Sequence, residues 1–143
     1  MEKILVVYWS GTGNTQKMAE AIAEGAKVAG AEATLTEVGK ISVQEALEFD
    51  RIAIGCPSMG AEVLEEAEME PFFTELEANI VNKNIALFGS YGWGDGEWMR
   101  DWESRVKKAG ANLCNGEGTI CNEAPDADAI SACKQLASNL LNM

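Results

Sequence analysis

Residues 4–15 constrain the fold of this chain most strongly. In this stretch an apolar run ends in a small polar loop, and a helical pattern begins directly after the loop. A continuous apolar run of this length is typical of a central parallel strand that is covered on both faces. The loop, residues 10–15, contains only hydroxyl, amide and glycine residues and carries no charge. Because a strand, a small polar loop and a helix aim a helix N-terminus at an anion, the sequence predicts a phosphate-binding loop here.

The composition of this loop predicts that an anion would be bound by uncharged hydrogen-bond donors rather than by a basic side chain. Backbone N–H groups would bind the anion, together with the helix N-terminus, which carries about half a unit of positive charge. Asn14 is also expected to cap the helix. Gly11 and Gly13 permit a positive φ and let the backbone approach a ligand closely. The side-chain donors are Ser10, Thr12, Asn14 and Thr15.

Two better-known phosphate motifs do not fit this loop. Counted from Gly11, the P-loop pattern needs a second glycine where Gln16 stands. It also needs a serine or threonine where Met18 stands, so only Lys17 fits. The dinucleotide pattern G-x-G-x-x-G breaks at Gln16 as well. A cradle for a monophosphate remains, and a plain strand-to-helix turn is the alternative that the residues alone leave open.

Composition excludes several other kinds of chemistry. The chain has 143 residues and 11 basic against 23 acidic side chains, which give a net charge of -12. Nucleic acid is a poor partner for such a surface, whereas basic patches on other proteins attract it. The chain contains no histidine, and its four cysteines show no C-x-x-C spacing, so we expect neither a metal site nor a histidine-dependent catalytic group. No signal or membrane segment is evident, and a cytoplasmic monomer is expected.

The order of the remaining elements predicts an α/β fold. Apolar runs at strand length alternate with helical periodicity, which predicts a doubly wound parallel sheet. In such sheets ligands bind beyond the carboxyl ends of the strands. Strands are expected at residues 3–9, 33–38, 51–55 and 84–89, with a last strand in two pieces at 111–114 and 119–121. Helices are expected to follow residues 14, 42, 71, 95 and 125, with Asp95 as a candidate cap.

Three blocks of sequence resemble flavodoxins. The run VVYWSGTGNT at 6–15, followed by Ala19 and Ile22, resembles the flavodoxin signature. The runs CPSMGAE at 56–62 and FGSYGWGDG at 88–96 are similar to the first and second flavin loops of short-chain, clostridial-type flavodoxins. The blocks match in order and spacing over essentially the whole chain. The resemblance implies one flavodoxin-like domain, residues 1–143, with a five-stranded sheet of order 2-1-3-4-5, helices on both faces, and non-covalently bound FMN.

The resemblance also implies which residues meet the cofactor. Trp93, flanked by glycines, would stack on one face of the flavin, with Met59 as a candidate for the other face. The Glu62 carboxylate would accept a hydrogen bond from the ring N3–H, and the peptide between Gly60 and Ala61 would rotate to accept a hydrogen bond from the donor that forms at N5. Trp9, Trp98 and Trp102 are expected to be structural. The full expected set is Ser10, Gly11, Thr12, Gly13, Asn14, Thr15, Pro57, Ser58, Met59, Gly60, Ala61, Glu62, Ser90, Tyr91, Gly92, Trp93 and Gly94.

The implied function is a low-potential one-electron carrier that shuttles between semiquinone and hydroquinone and has no catalytic residue. Its partners would be flavodoxin or ferredoxin reductases and other oxidoreductases with basic docking patches. The alternative is an NAD(P)H-dependent FMN or quinone reductase on the same fold, but stacked Trp93 would block the nicotinamide. A phospho-acceptor switch is excluded because strand 1 ends in Trp9 and Ser10, and strand 3 ends in Gly55 and Cys56, without the acidic residues that it needs.

Overall fold

The apolar runs form the centre of one parallel sheet. The computed structural model describes residues 2–143. Strands β1 (Lys3–Tyr8), β2 (Glu32–Glu37), β3 (Arg51–Gly55) and β4 (Asn84–Tyr91) pair in the order β2-β1-β3-β4. The half-exposed β2 forms one edge, as its alternating pattern predicted. The order 2-1-3-4-5 is confirmed, and it places a switch point between β1 and β3.

The last strand is divided into two pieces, as expected. Strands β5 (Asn112–Leu113) and β6 (Thr119–Asn122) both pair with β4, and both pairings are parallel. Between them lies a single turn of 3₁₀ helix, in which Asn115 has a φ of 63° and Gly116 a φ of 72°. The left-handed backbone at these two positions interrupts the strand without changing its partner.

Helices cover both faces of the sheet and enclose two hydrophobic cores. Helices α1 (Asn14–Val28) and α5 (Ala127–Leu141) pack on one face. Helices α2 (Val43–Ala46), α3 (Met69–Glu77) and α4 (Glu97–Lys108) cover the other. Residues along β1 alternate between the two cores, with Ile4 and Val6 in the first and Leu5 and Val7 in the second. This double burial explains the uninterrupted apolar pattern of the central strands.

Helix starts were predicted only in part. Ser42 caps α2 through a capping box with Glu45, and Asp126 caps α5 by accepting the Ala129 N–H at 2.8 Å. Asn14 and Asp95 were wrong as caps, because glycines with positive φ take those positions. Gly13 has a φ of 97° and precedes α1, and Gly96 has a φ of 95° and precedes α4. The Asp95 carboxylate instead pairs with Arg100 at 2.9 Å.

Strand β4 extends two residues further than expected. Ser90 and Tyr91 were placed in the loop, but they continue the strand and pair with Cys121 and Asn122 of β6. The second piece of the last strand supplies the hydrogen-bond partner that extends β4, a long-range effect that local pattern does not reveal. Within residues 2–143, no helix combines the length and the apolar composition needed to cross a membrane.

Candidate functional site

Loops from neighbouring strands meet at the carboxyl edge of the sheet around a cavity of about 240 Å³. Nine of the residues expected to meet a cofactor line it. They are Gly11, Thr12, Asn14, Pro57, Ser58, Met59, Ser90, Tyr91 and Gly92. Trp9 and Glu123 complete the lining. The cavity therefore lies where β1, β3, β4 and β6 end, which is the position that parallel sheets use for ligands.

The loop after β1 is held in shape by the Ser10 hydroxyl. Its Oγ accepts the backbone N–H of Gly13 at 3.1 Å and that of Gln16 at 3.3 Å. Ser10 thus does what Asn14 was expected to do at this helix start. The hydroxyl hydrogen of Ser10 stays available, because Oγ serves only as an acceptor in these two contacts. A hydroxyl and a set of N–H groups therefore converge at the N-terminus of α1.

Free backbone donors surround this point. The N–H groups of Gly11, Thr12, Asn14 and Thr15 have no hydrogen-bond acceptor among residues 2–143. The loop carries no charged side chain that would compete for an anion. Unpaired N–H groups at a helix N-terminus form a site for phosphate oxygens. The donor set is thus suited to an anion such as a phosphate monoester.

Two of the expected residues connect neighbouring loops through their side chains. The Thr15 hydroxyl is buried and accepts the Ser90 N–H at 3.4 Å. The Ser90 hydroxyl donates to the Glu123 carbonyl at 2.6 Å. Both side chains therefore hold the phosphate loop, the end of β4 and the residues after β6 together. The Ser90 N–H and hydroxyl are thus used within the protein, whereas the Thr15 N–H and the Thr15 hydroxyl hydrogen stay available to a ligand.

Trp9 and Glu123 were missed as lining residues. The Trp9 ring lies across Gly11, where a Cβ would be 3.1 Å from Cη2, and its Nε1 donates to Glu68 Oε1 at 3.3 Å. Glu123 has a φ of 60°, and its N–H donates to Tyr91 O at 2.8 Å. A signal for Glu123 was present in the sequence. It directly follows the last strand, and the rule that ligands lie beyond carboxyl ends applies to that strand as well.

The loop after β3 is a tight turn closed by a small antiparallel bridge. Met59 and Val63 exchange two backbone hydrogen bonds of 2.9 and 3.0 Å. Gly60 has a φ of 48° and Glu62 a φ of 56°, whereas Ala61 keeps a negative φ. If the rotated Gly60–Ala61 peptide forms a type II turn, Ala61 must instead take a positive φ. In this structure the residues with a positive φ are Gly60 and Glu62, on either side of Ala61.

Glu62 joins this loop to the loop after β4. Its carboxylate is 92% buried, and Oε1 accepts the N–H groups of Gly96 and Glu97, both at 3.3 Å. The carboxylate therefore lies at the positive end of α4, where a negative charge is stabilised. A Cβ at Gly94, whose φ is 86°, would collide with this carboxylate. The capping role of Glu62 was not evident from the sequence, because its two partners lie more than thirty residues away.

Apart from Trp9, the tryptophans differ in exposure in the way that the sequence suggested. Trp93 is 66% exposed at the edge of the site, whereas Trp98 and Trp102 are buried in the core. Trp98 Nε1 donates to Cys56 O at 3.0 Å, and the Trp98 ring lies 5.6 Å from that of Tyr91. Trp93 is thus free to cover a flat ligand, and Trp98 supports the floor of the site.

Glu65 and Cys56, two buried polar residues between β3 and α3, both take part in hydrogen bonds. The Glu65 carboxylate accepts N–H groups of Ala67, Glu68 and Met69 at 2.8, 2.8 and 3.0 Å and so caps α3. Burial alone would raise the pKa of Glu65, but these three hydrogen bonds outweigh it and lower the pKa. Burial raises the pKa of the Cys56 thiol to about 12. A protonated thiol is a poor nucleophile, so Cys56 acts as a packed side chain.

The fold and the cavity define a doubly wound α/β protein with a ligand-sized cavity at its switch point. Within residues 2–143, no group of three or more acidic or cysteine side chains is arranged to hold a metal ion. A family model described as flavodoxin matches residues 6–135. The chain belongs to the flavodoxin family.

Individual relatives agree with this assignment. The chain is 46% identical to the flavodoxin of Clostridium beijerinckii over 93% of its own length and 98% of the relative. It is also 46% identical to the flavodoxin of Megasphaera elsdenii, over 92% and 93% of the two chains. The solution structure of two-electron reduced Megasphaera elsdenii flavodoxin superposes with a TM-score of 0.88 at 42% identity, covering 98% and 99% of the two chains.

Membership of this family confirms the function expected from the sequence. Flavodoxins are small electron-transfer proteins that bind FMN, and this chain is an FMN-binding electron carrier that works with redox partners. The alternative of an NAD(P)H-dependent reductase is not favoured. The assignment agrees with polar side chains that hold the loops of the site together.

Proposed function

We propose that the cavity holds FMN, with its phosphate at residues 10–15 and its ring between the loops at 57–62 and 90–94, and that the whole chain acts as one domain. The observation that supports this arrangement is the convergence of the loops after β1, β3 and β4 on one cavity. One end of this cavity offers uncharged N–H donors. Trp93 and the buried carboxylate of Glu62 lie on the loops after β4 and β3 but outside the cavity lining, and we place the ring at the end of the cavity nearest these two loops.

Each residue in this arrangement binds or orients, and the cofactor supplies the one-electron chemistry when bound. The Ser10 hydroxyl and the free N–H groups of the loop hold the phosphate. Trp93 covers one face of the ring and excludes water. The backbone of Ser90, Tyr91 and Gly92 meets the pyrimidine edge. The buried Glu62 carboxylate accepts from N3–H, because a carboxylate can accept but cannot donate.

The loop between Met59 and Val63 would supply a hydrogen-bond acceptor beside N5 of the ring. Gly60 tolerates both signs of φ, so the peptide that follows it can turn its carbonyl oxygen toward the bound ring. A carbonyl oxygen in that orientation would accept a hydrogen bond from an N–H at this ring position. The bridge between Met59 and Val63 keeps the two ends of the loop in place while the peptide turns.

The charges around the site favour a low potential for the second electron. Glu62 is buried, Glu123 lines the cavity, and the chain carries a net charge of -12 without any histidine. In such surroundings an additional negative charge on the ring is disfavoured. Each 1.4 kcal/mol of this destabilisation lowers a one-electron potential by about 60 mV. The protein would therefore deliver strongly reducing electrons.

The exposed edge of the site supplies a docking surface for basic partners. Trp93 is 66% exposed and Val63 is 42% exposed on the two loops that hold the ring. The carboxylates of Glu66, Asp95 and Glu97 are exposed on the same loops and at the start of α4. An apolar centre with an acidic rim complements a basic patch and speeds association at low ionic strength. We place this monomeric carrier in the reducing cytoplasm, where its four free thiols are stable.

Titration of the cofactor-free protein with FMN and with riboflavin tests this proposal. One equivalent of FMN should bind, and riboflavin, which lacks the phosphate, should bind at least tenfold more weakly. Anaerobic reduction should then proceed in two separate one-electron steps. Equal affinity for the two flavins would refute the phosphate position, and a single two-electron step would favour a reductase.

A matched pair of variants tests the position of the ring. Trp93→Ala should weaken FMN binding tenfold or more, because it removes the surface that covers the ring. Val28→Ala provides the control, since Val28 is 83% exposed on α1 and lies outside the cavity lining. Its affinity for FMN should be unchanged. Equal affinities in the two variants would exclude Trp93 from the ring contact.

A further inference from the structure

Trp102 has a buried hydrogen-bond donor without an acceptor. The residue lies in α4 and is 1% exposed, and its Nε1–H has no partner among residues 2–143. Trp98, one turn earlier on the same helix, is equally buried, but its Nε1 donates to Cys56 O at 3.0 Å. A buried N–H that lacks a partner loses its hydration without compensation. Such a group in a well-packed core therefore calls for an explanation.

A second cavity borders this indole. It has a volume of about 170 Å³ and lies between the loop at 62–64 and helices α3 and α4. Besides Trp102, its polar lining consists of Glu62, Glu70, Asp101 and Arg105. The space exceeds what one water molecule needs, and polar groups on several sides are the condition under which a cavity is hydrated rather than empty.

The carboxylates in this lining are not equivalent. Both oxygens of Glu70 are occupied by Arg105, at 2.8 and 2.9 Å, and Thr74 adds a third contact at 2.7 Å. Asp101 is exposed and can be hydrated from outside. Glu62 uses Oε1 for the N-terminus of α4, whereas Oε2 accepts from no donor among residues 2–143. Glu62 Oε2 is thus the carboxylate oxygen of this lining that belongs to a buried residue and accepts from no protein donor among residues 2–143.

We propose that this cavity binds an ordered water molecule that accepts the Trp102 Nε1–H and donates to Glu62 Oε2. A ligand here must accept from an N–H and donate to a carboxylate, and water does both. A metal or ammonium cation cannot accept from the indole. An anion would face three carboxylates and one guanidinium that already pairs with Glu70 and Glu77.

This water site lies outside the cofactor cavity and has a different task. Glu62 would be tied to α4 twice, once directly through Oε1 and once through the water and Trp102. Each carboxylate oxygen accepts more than one hydrogen bond, so neither contact prevents a contact with a ligand. The water would fix the orientation of the carboxylate from behind the loop. Trp102 then acts as a positioning residue for Glu62.

Water-selective NMR of the 15N-labelled, FMN-saturated protein tests the site. The Trp102 indole proton should show a direct cross-relaxation peak to water, and the Trp98 indole proton should show none. Trp102→Phe and Trp98→Phe assign the two signals. Trp102 and Phe73 lie edge to face with centroids 5.7 Å apart, so an N–H contact to the Phe73 ring is the competing arrangement. An upfield-shifted Trp102 signal without a water peak would establish that arrangement and overturn the proposal.

The acceptor is tested by a second pair of variants at saturating FMN. Glu62→Ala should remove the water peak of Trp102, whereas Asp101→Ala, at the same cavity, should keep it. Loss of the peak only in Asp101→Ala would overturn the assignment to Glu62.

Equilibrium unfolding supplies an independent measurement. Trp102→Phe and Trp98→Phe remove the same atoms, so both should raise the unfolding constant by a similar factor, about fivefold from the hydrogen bond alone. A Trp102→Phe protein that is as stable as the parent, while Trp98→Phe is destabilised, would show that the Trp102 donor has no partner.

Discussion

The carboxylate of Glu62 occupies the space that a side chain at Gly94 would need. Gly94 also has a φ of 86°, so glycine is required there for two separate reasons. We expect Gly94→Ala to displace the carboxylate or the second loop and to weaken FMN binding tenfold or more. Isothermal titration of the cofactor-free variant with FMN measures this effect.

Gly30→Ala is the matched control for the Gly94 experiment. Gly30 has a φ of 91°, and a Cβ there would meet no atom within 4 Å. This variant should lose about 1 kcal/mol of stability from backbone strain and keep its affinity for FMN. If both variants bind FMN like the parent, the contact between Gly94 and Glu62 does not shape the site.

Replacing Ala61 by glycine should raise the potential of the first electron. The turned peptide requires a positive φ at Ala61, which costs an alanine about 1 kcal/mol more than a glycine. Relief of this cost corresponds to about 40 mV for one electron. Spectroelectrochemical titration measures the shift. Ala67→Gly, at an exposed position of the same loop, should leave the potential unchanged, and an unchanged potential in Ala61→Gly as well would contradict the strain argument.

Glu65→Gln should destabilise the protein in a pH-dependent way. One of the three N–H groups that Glu65 accepts would face an amide NH₂ that cannot accept, at a cost of about 2 kcal/mol near neutral pH. The folded protein lowers the pKa of Glu65. The contribution of the ionised carboxylate is therefore complete above its unfolded pKa of about 4.3 and is lost as the pH falls through the folded pKa.

Urea denaturation at a series of pH values checks this dependence. The stability difference between the parent protein and Glu65→Gln should shrink once the pH falls below about 4. Glu66→Gln is the control, because Glu66 is exposed and accepts no hydrogen bond from residues 2–143. A difference that stays constant with pH would mean that the charge of Glu65 does not contribute to stability.

Arg105→Lys should cost about 1–2 kcal/mol of stability without changing FMN affinity. The guanidinium pairs with both oxygens of Glu70, contacts Glu77 at 2.9 Å and lies 4.8 Å from the centre of the Phe73 ring. Burial disfavours its charge, but hydrogen bonds to Glu77 and Glu70 raise the pKa of Arg105 above its usual value. A lysine cannot reproduce these parallel contacts.

Thermal unfolding of Arg105→Lys and Arg100→Lys compares a half-buried ion pair with an exposed one. Arg100 and Asp95 form a pair whose side chains are 57% and 78% exposed. Exposed pairs contribute little, so Arg100→Lys should be close to neutral. Equal losses in the two variants would show that the partial burial of Arg105 has no energetic effect.

The sequence predicted the sheet order, the two-piece last strand and the positions of three loops, because these features depend on local pattern or on resemblance. It did not predict Gly13 and Gly96 as the residues that precede α1 and α4. Both positions have a left-handed backbone, and this conformation depends on the direction in which the preceding loop leads into the helix. Sequence reasoning assigned the caps to polar neighbours, Asn14 and Asp95, whose side chains are not used in that way.

The contacts that were missed share one physical cause. Glu62 reaches Gly96, Trp9 reaches Glu68, and Ser90 reaches Glu123, each across more than thirty residues. Such pairs exist only after the strands are assembled, and no local period or motif encodes them. The composition of each loop therefore predicts the ligand that it suits, whereas the hydrogen bonds between loops require the folded chain.

The division of the last strand creates a position at which the fold can accept an insertion. β5 is registered on β4 by Asn84 and Asn112, and β6 is registered independently by Phe88 and Thr119. A segment inserted at the exposed residues 115–117 would leave both registers intact, since β5 and β6 pair with different residues of β4. The scaffold can thus acquire a new recognition element or a reporter peptide at its surface. It would do so while the electron-carrying end remains unaltered.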